Sequence, residues 1–395
     1  MKKSPLLIIF FTVFLDLIGF GIVLPLLPFY AGTFGANAFQ VGLLFTSFSL
    51  MQFLFAPWWG RLSDRVGRRP IILLGLFGSA VSYLFFGLAH SLWLLFVSRI
   101  FAGICGANIS TAQAYIADTT TAENRAKGMG MIGAAYGLGF IFGPAIGGIL
   151  SQYGYRVPAF FASGLALANF LAAQFLLPES LKPGIRSQSV HRGLNLGKLA
   201  ESLRQPRLGI YMILFFLSTF AFANLEATFA LMTEKKFQLD ATHNGYLFAY
   251  IGVLITILQG GLLGRLVKRF GEQHLISTGL LSLFFSLSLL PFLPNVPWLL
   301  LCMLPLTFGH GVSNPSLASL ISKSTAAGEQ GAVLGVSQSL ASLARILGPA
   351  WGGLVFDKLG FQFPYLTGGF FLLLAFLLSL GARRNRLQAK TERDS

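Results

Sequence analysis

The chain has 395 residues, 54% of them hydrophobic and only 11% charged, with a mean hydropathy of +0.69. That balance excludes a soluble globular protein of this size. The formal net charge of +15 is spread over short polar connectors between apolar stretches, a pattern of membrane topology that argues against a nucleic-acid partner.

Apolar stretches recur roughly every 30 residues, the length of a spanning helix of about 20 residues plus a connector. They predict twelve spans, at 5–31, 39–59, 70–89, 91–116, 128–151, 157–178, 207–231, 242–264, 274–293, 297–320, 331–356 and 364–381. The first is too long for a signal-peptide core, lacks a small-residue cleavage site and carries Asp16, Pro25 and Pro28, so it is expected to stay as a membrane helix. Placing both termini on the cytoplasmic side leaves 23 of the 29 Lys and Arg residues inside, which sets the orientation.

Between the second and third spans lies GRLSDRVGRR, Gly60 to Arg69, with one carboxylate and four arginines. Such a cluster cannot lie in hydrocarbon and reads as a short aqueous loop. Gly67 permits a tight turn there, and Asp64 is expected just before the third span, where the positive end of a helix dipole favours a carboxylate. Arg65, Arg68 and Arg69 can pair with it. A plain alternative is a solvated basic loop serving topology alone.

In the fifth span Gly139, Gly143 and Gly147 recur every four residues on one face, next to Pro144 and Gly148. Small residues let helices approach, and a proline removes a backbone donor and permits a bend. Both features return later in the chain. Gly60-Arg61-Leu62 recurs 204 residues on at Gly264-Arg265-Leu266, and Gly143-Pro144-Ala145 recurs 205 residues on at Gly348-Pro349-Ala350. In the second copy the place of Asp64 is taken by Lys268. Two motifs at nearly one offset predict a duplicated chain, with six-helix halves at 1–178 and 207–382, a polar linker at 179–206 and a basic tail at 383–395. Parallel halves of this kind suggest a transporter working about a central site.

Only Asp16 and Glu226 among fourteen acids, and only Arg99 and Arg345 among 29 basic residues, fall well inside predicted spans. Each costs about 2.5–3.5 kcal/mol at a helix centre on insertion scales. At 1.5 Å per residue, Asp16 lies roughly 16 Å from the inner surface and Arg99 roughly 10 Å from the outer one, nearly the same depth in a core about 30 Å thick. Glu226 and Arg345, roughly 27 and 21 Å from the inside, form a second candidate pair. Desolvation favours a protonated carboxyl and a neighbouring arginine an ionised one, so each pair can gain and lose a proton and differ in helix contacts between the two states. The competing reading for both pairs is a static buried ion pair that fixes packing.

Polar stripes accompany these charges. Arg99, Gly103, Gly106, Ser110 and Gln113 fall on one face of the fourth span; Phe215, Thr219, Phe222 and Glu226 on one face of the seventh; Thr307, His310 and Asn314 in the tenth; Gln338, Ser342 and Arg345 in the eleventh. Gln52, Asn108 and Asn224 are further candidates for a substrate cavity, although any single amide can equally serve as a bond between helices. The mixture of Phe with polar groups suits lipophilic or amphiphilic organic substrates. Cys105 and Cys302 both lie within spans and read as packing residues, with no metal site or disulfide framework.

Gly60, Leu62, Asp64, Arg65, Gly67, Arg68 and Arg69 together resemble the loop signature of the major facilitator superfamily. Asp16, Gly19 and Pro25, then Arg99, Gly103 and Gly106, then the Gly-Pro-Gly-Gly segment of the fifth span resemble its twelve-helix drug/proton antiporter family, over nearly the whole chain. The tetracycline/proton antiporter branch is the most similar. The resemblance implies an all-α major facilitator fold with twelve transmembrane helices in two pseudo-symmetric halves. It implies proton-driven multidrug-type export by alternating access from a bacterial-type inner membrane. It supports gating by the loop and by Gly143, Pro144, Gly147 and Gly148, while the intramembrane charges make Asp16 the expected proton carrier with Arg99 its modulator, and Glu226 with Arg345 a second coupling or cation-recognition site. It further implies that Asp64 latches the halves against the start of the eleventh span, near Glu329 to Gly331. The expected partners are a small organic substrate, protons and lipid, with the proton gradient instead of a cofactor, no enzymatic activity, and a monomeric state. In the third span the acid of the tetracycline branch is replaced by Ser82, which argues against tetracycline itself. Rival readings are a transporter of the same fold for a lipid, sugar or metabolite, possibly a symporter, and a transporter-like ligand sensor.

Overall fold

The structure is a computed structural model and describes residues 5–106, 108–181, 204–325 and 330–394. Most of the expected linker, Glu329, and the side chains of Asn108, Gln330, Gly331 and the basic tail lie outside the described residues.

Among the described residues, twelve helical spans are long and apolar enough to cross a membrane: Pro5–Gly32, Ala38–Val66, Arg68–Gly87, Leu92–Thr119, Gly128–Ser151, Arg156–Leu176, Leu208–Phe237, Ala241–Phe270, Glu272–Phe292, Val296–Lys323, Val333–Leu359 and Phe363–Gly381. Local chemistry sets their ends. Asn37 and Gln40 form a reciprocal capping box at the second span, and Ser91 and Asn295 cap the fourth and tenth. Gly67 (φ 121°) and Gly271 (φ 77°), 204 residues apart, occupy the positive-φ region that links the second span to the third and the eighth to the ninth.

Three boundaries differ informatively from the hydropathy reading. The second span does not end at residue 59 but runs helically to Val66, because a helix carries its hydrogen bonds past the hydrocarbon edge into water. The connector is therefore little more than Gly67, and Asp64 sits in the last turn of the second span instead of just before the third. In the fourth span the helix that starts at Leu92 reaches Cys105 and is capped at Gly106, whose amide donates to the Gly103 carbonyl. The eighth span carries a π-helical turn, Leu258–Leu262. Both irregularities are bridged by a glutamine. Gln52 Nε2 donates to the Gly106 carbonyl at 2.9 Å, and Gln259 Nε2 to the Gly311 carbonyl at 3.4 Å.

The chain divides into two compact units. One gathers the first six spans with Thr233–Val253; the other gathers the seventh span up to Met232 and the chain from Leu254 onward. Within the first unit the fifth span lies along the first. A methyl group added at Gly139 would come 2.6 Å from Leu17 Cβ, one at Gly143 2.7 Å from the Gly21 Cα and the Ile18 carbonyl, and one at Gly147 2.7 Å from the Ile22 carbonyl. The same unit places Gly148 against Gly245, where Thr242 Oγ1 donates to the Gly148 carbonyl at 3.0 Å. In the second unit the recurring motif does the same work on the seventh span: a methyl at Gly348 would lie 2.8 Å from the Phe220 carbonyl, and one at Gly352 would overlap the Asn224 amide. The repeated sequence thus builds a repeated close approach of helix backbones.

Candidate functional site

The charged turn is a network centred on Arg68, which is 7% exposed. Its Nη1 lies 2.6 Å from Asp64 and donates to Ser63 Oγ at 2.7 Å, and its Nε lies 3.0 Å from Asp118. The carboxylate at the start of the third span is Glu179, from the end of the sixth. Its oxygens accept from the Arg68 amide at 2.9 Å and the Arg69 amide at 3.1 Å, and also from the Ser180 and Leu181 amides. The acid that meets the positive end of this helix comes from 111 residues away, which no local spacing reveals. Gly67 leaves the space that Glu179 occupies. Arg65 is exposed, and Arg69 also donates to the Gln174 carbonyl.

The second unit keeps one of these contacts with its charges inverted. Glu272, 204 residues after Arg68, pairs at 2.8 Å with Lys323, 205 residues after Asp118, and accepts from Ser319 Oγ. Lys268, in the place of Asp64, is exposed.

Inside the first unit, Asp16 accepts from Ser79 Oγ at 3.2 Å. Arg99, 4% exposed, places its guanidinium 5.0 Å from the Phe86 ring centroid, a cation–π contact, while its Nε and Nη2 find no hydrogen-bond partner among the described residues. Tyr83 lies between Ser79 and Phe86 on the same helix face and within electrostatic reach of both Asp16 and Arg99. Its ring covers Gly19, three residues along from Asp16. Tyr83 and Ser79 escaped the sequence reading, although their i, i+4, i+7 spacing with Phe86 was there to find. Ser82 is fully buried and donates to its own helix, at the Ser79 carbonyl, 2.9 Å away.

In the second unit Arg345 lies within electrostatic reach of Glu226 and donates to Ser342 Oγ at 3.3 Å. Phe222 stacks on His310 with ring centroids 3.6 Å apart and planes at 13°. His310 Nδ1, Asn314 Oδ1, Ser218 Oγ and Thr219 Oγ1 are among the buried polar atoms without a hydrogen-bond partner in the described residues. Phe215 is buried. Gln113 and Gln338 are exposed. Asn224 donates to the Pro364 carbonyl at 2.6 Å and packs on Gly352, and Gln52 is engaged at Gly106; both amides bond one helix to another. Cys105 fills the space beside Gly78, and Cys302 donates to the Ser286 carbonyl at 3.4 Å.

This arrangement has many counterparts. The chain matches the sequence model of the Major Facilitator Superfamily over residues 9–349 and 260–395. It is 32% identical to Multidrug resistance protein 2 of Bacillus subtilis (strain 168), covering 96% of this chain and 95% of that one. It is also 32% identical to the class B Tetracycline resistance protein of Escherichia coli, covering 87% of this chain and 86% of that one. The crystal structure of the human organic anion transporter MFSD10 superposes with a TM-score of 0.73 at 30% identity, over 96% of this chain and 99% of that one. The nucleoside transporter NupG superposes at 0.78 with 12% identity, over 96% and 99%, a likeness of fold alone. With twelve spans, a duplicated glycine-proline contact and a full-length sequence match, this chain is a multi-pass membrane protein of the major facilitator superfamily.

Proposed function

We propose that the protein is a proton-coupled exporter of lipophilic or amphiphilic organic molecules, of the multidrug type, in a bacterial-type inner membrane with both termini cytoplasmic. The observation that carries the coupling is that partly buried Asp16 and fully buried Arg99 contact one face of the third span, at Ser79 and Phe86. Keeping a carboxylate and a guanidinium there costs several kcal/mol, which proton-dependent switching explains better than packing does. The names of the relatives at about 30% identity support a drug-sized cargo.

Asp16 is assigned as proton carrier and Arg99 as its modulator; Glu226 and Arg345 form a second coupling pair. Phe222, His310 and Asn314 are the residues offered to substrate. Gly60 to Arg69, with Gly143, Pro144, Gly147 and Gly148, are assigned to gating, and the two halves to 1–178 and 207–382. The energy source is the proton gradient.

Proteoliposomes holding the purified protein test this. Transport of a panel of cationic, neutral and anionic fluorescent dyes is followed under an imposed pH gradient. Asp16→Asn is expected to abolish gradient-driven movement. Coupled transport that survives Asp16→Asn refutes the mechanism. The organic anion transporter among the relatives keeps anionic dyes in the panel as the test of a different cargo.

A further inference from the structure

Asp16 and Arg99 meet the third span at its two sides of one stripe, and Tyr83 stands between their contacts. Ser79 holds Asp16, Phe86 carries the Arg99 guanidinium, and Tyr83 is 6% exposed. Ring position is closely defined: a methyl group at Gly19 would lie 2.9 Å from Tyr83 Cε2 and 3.1 Å from its hydroxyl. The phenol therefore lies against the face of the first span that bears Asp16, because positions three apart share a helix face. Arg99 keeps two unpartnered nitrogens, Nε and Nη2, in this apolar setting, where each unsatisfied polar group costs about 1–3 kcal/mol.

We propose that Tyr83 is the positioning residue through which Asp16 and Arg99 sense one another. Its O–H donates to the ionised Asp16 carboxylate, and its oxygen accepts from the Arg99 guanidinium. When Asp16 takes up a proton, the phenol loses its anionic acceptor, the chain weakens, and the guanidinium is released. No covalent bond other than the O–H of Asp16 is made. A neutral go-between has a physical advantage over direct contact. A desolvated carboxylate-guanidinium pair is held by several kcal/mol, too tightly for ready release, whereas a phenol between the charges leaves two states of comparable energy.

The neighbouring hydroxyl cannot substitute, since Ser82 is turned back to its own helix. Tyr83 of the third span lies within electrostatic reach of both Asp16 and Arg99, and Tyr136 of the fifth span packs against the apolar core that includes Leu17, next to Asp16. The sixth span contributes Asn169, which donates to the Thr12 carbonyl at 2.9 Å.

The proposal rests on Asp16 and Arg99 forming the coupling pair, and one experiment separates the two. The protein in liposomes is titrated with pH by infrared difference spectroscopy, which sees the carbonyl stretch of a protonated carboxyl and the ring modes of tyrosine without any substrate. A titrating carboxyl band present in the wild type and missing in Asp16→Asn identifies Asp16. Tyr83→Phe keeps the ring packing and is expected to move the midpoint of that band by about one pH unit, the equivalent of one hydrogen bond to a charged group. It should also remove a tyrosine signal that titrates together with the band in the wild type. Arg99→Lys should alter that tyrosine signal. If Asp16→Asn removes no titrating band, the coupling assignment itself fails. If the band belongs to Asp16 but Tyr83→Phe titrates with the wild type and no tyrosine mode follows it, Tyr83 is packing only and the proposal is overturned. Thermal unfolding of Tyr83→Phe equal to the wild type confirms that the comparison is between folded proteins.

Discussion

Replacing Gly143 by alanine adds one methyl group at the closest approach of the first and fifth spans. That methyl would lie 2.7 Å from both the Gly21 Cα and the Ile18 carbonyl oxygen, backbone atoms that cannot swing aside. Ordinary carbon contacts are about 3.5–4.0 Å, so the two backbones must part by roughly 1 Å along this stretch. Overpacking of this kind costs about 1–3 kcal/mol. Alanine also gains up to about 1 kcal/mol of helix propensity over glycine, and an internal control removes that gain. Gly133 lies in the same helix with nothing within 4 Å of an added methyl, so Gly133→Ala carries the propensity gain alone. Equilibrium unfolding in mixed detergent micelles, followed by tryptophan fluorescence, should place Gly143→Ala below Gly133→Ala by about 1–3 kcal/mol. Gly348→Ala in the repeated motif, 2.8 Å from the Phe220 carbonyl and 3.1 Å from Ala223 Cβ, should lose nearly as much. Gly143→Ala and Gly133→Ala within about 0.5 kcal/mol of each other would refute the close-approach argument.

Other perturbations address the charged ends. Arg68→Met leaves Asp64 and Asp118 facing each other without their shared cation and should cost about 2–3 kcal/mol, somewhat less than for a fully buried pair because both acids retain some water; a loss under about 1 kcal/mol in the same unfolding assay would contradict it. Glu272→Lys and Lys323→Glu should each destabilise by about 0.5–1 kcal/mol and the double exchange should recover most of it, since Lys323 is largely exposed and the contact is already a charge inversion of its counterpart. Additive losses in the double variant would show that the pair does not interact. Burial pushes the Asp240 carboxyl up, but hydrogen bonds from the His243 amide and ring outweigh it and hold it below the ordinary aspartate value. A depressed carboxyl adds stability that is fully present above about pH 4 and is lost as pH falls through the lowered value. Asp240→Ala should therefore cost about 0.5–1 kcal/mol at pH 7 as a lost cap, with the cost shrinking below pH 4; a cost that does not change with pH would count against the pairing.

Much of this was legible because the bilayer imposes its own grammar. Twelve apolar stretches, the duplicated Gly-Pro motif and the four intramembrane charges stand out locally, and a family signature needs only a few adjacent residues. Failures fell where partners come from distant sequence. Asp64 was placed at the start of the third span because it is the nearest acid, while Glu179 does that work. Asn224 and Gln52 look like cavity amides from one sequence and prove to be bonds between helices. The helix cap at Gly106 within the fourth span is likewise silent in hydropathy, which does not register how a backbone turns at glycine.

By itself, then, the amino-acid sequence determined the number of spans, the repeat and the identity of the charges within the spans, since insertion into hydrocarbon is governed by the composition of each segment. Tertiary structure alone decided which side chain meets which: that Arg68 serves two carboxylates, that its counterpart pair has inverted signs, and that one face of the third span runs from Asp16 past Tyr83 to Arg99. Such contacts depend on helix rotation and close backbone approach, which arise only when the helices pack together.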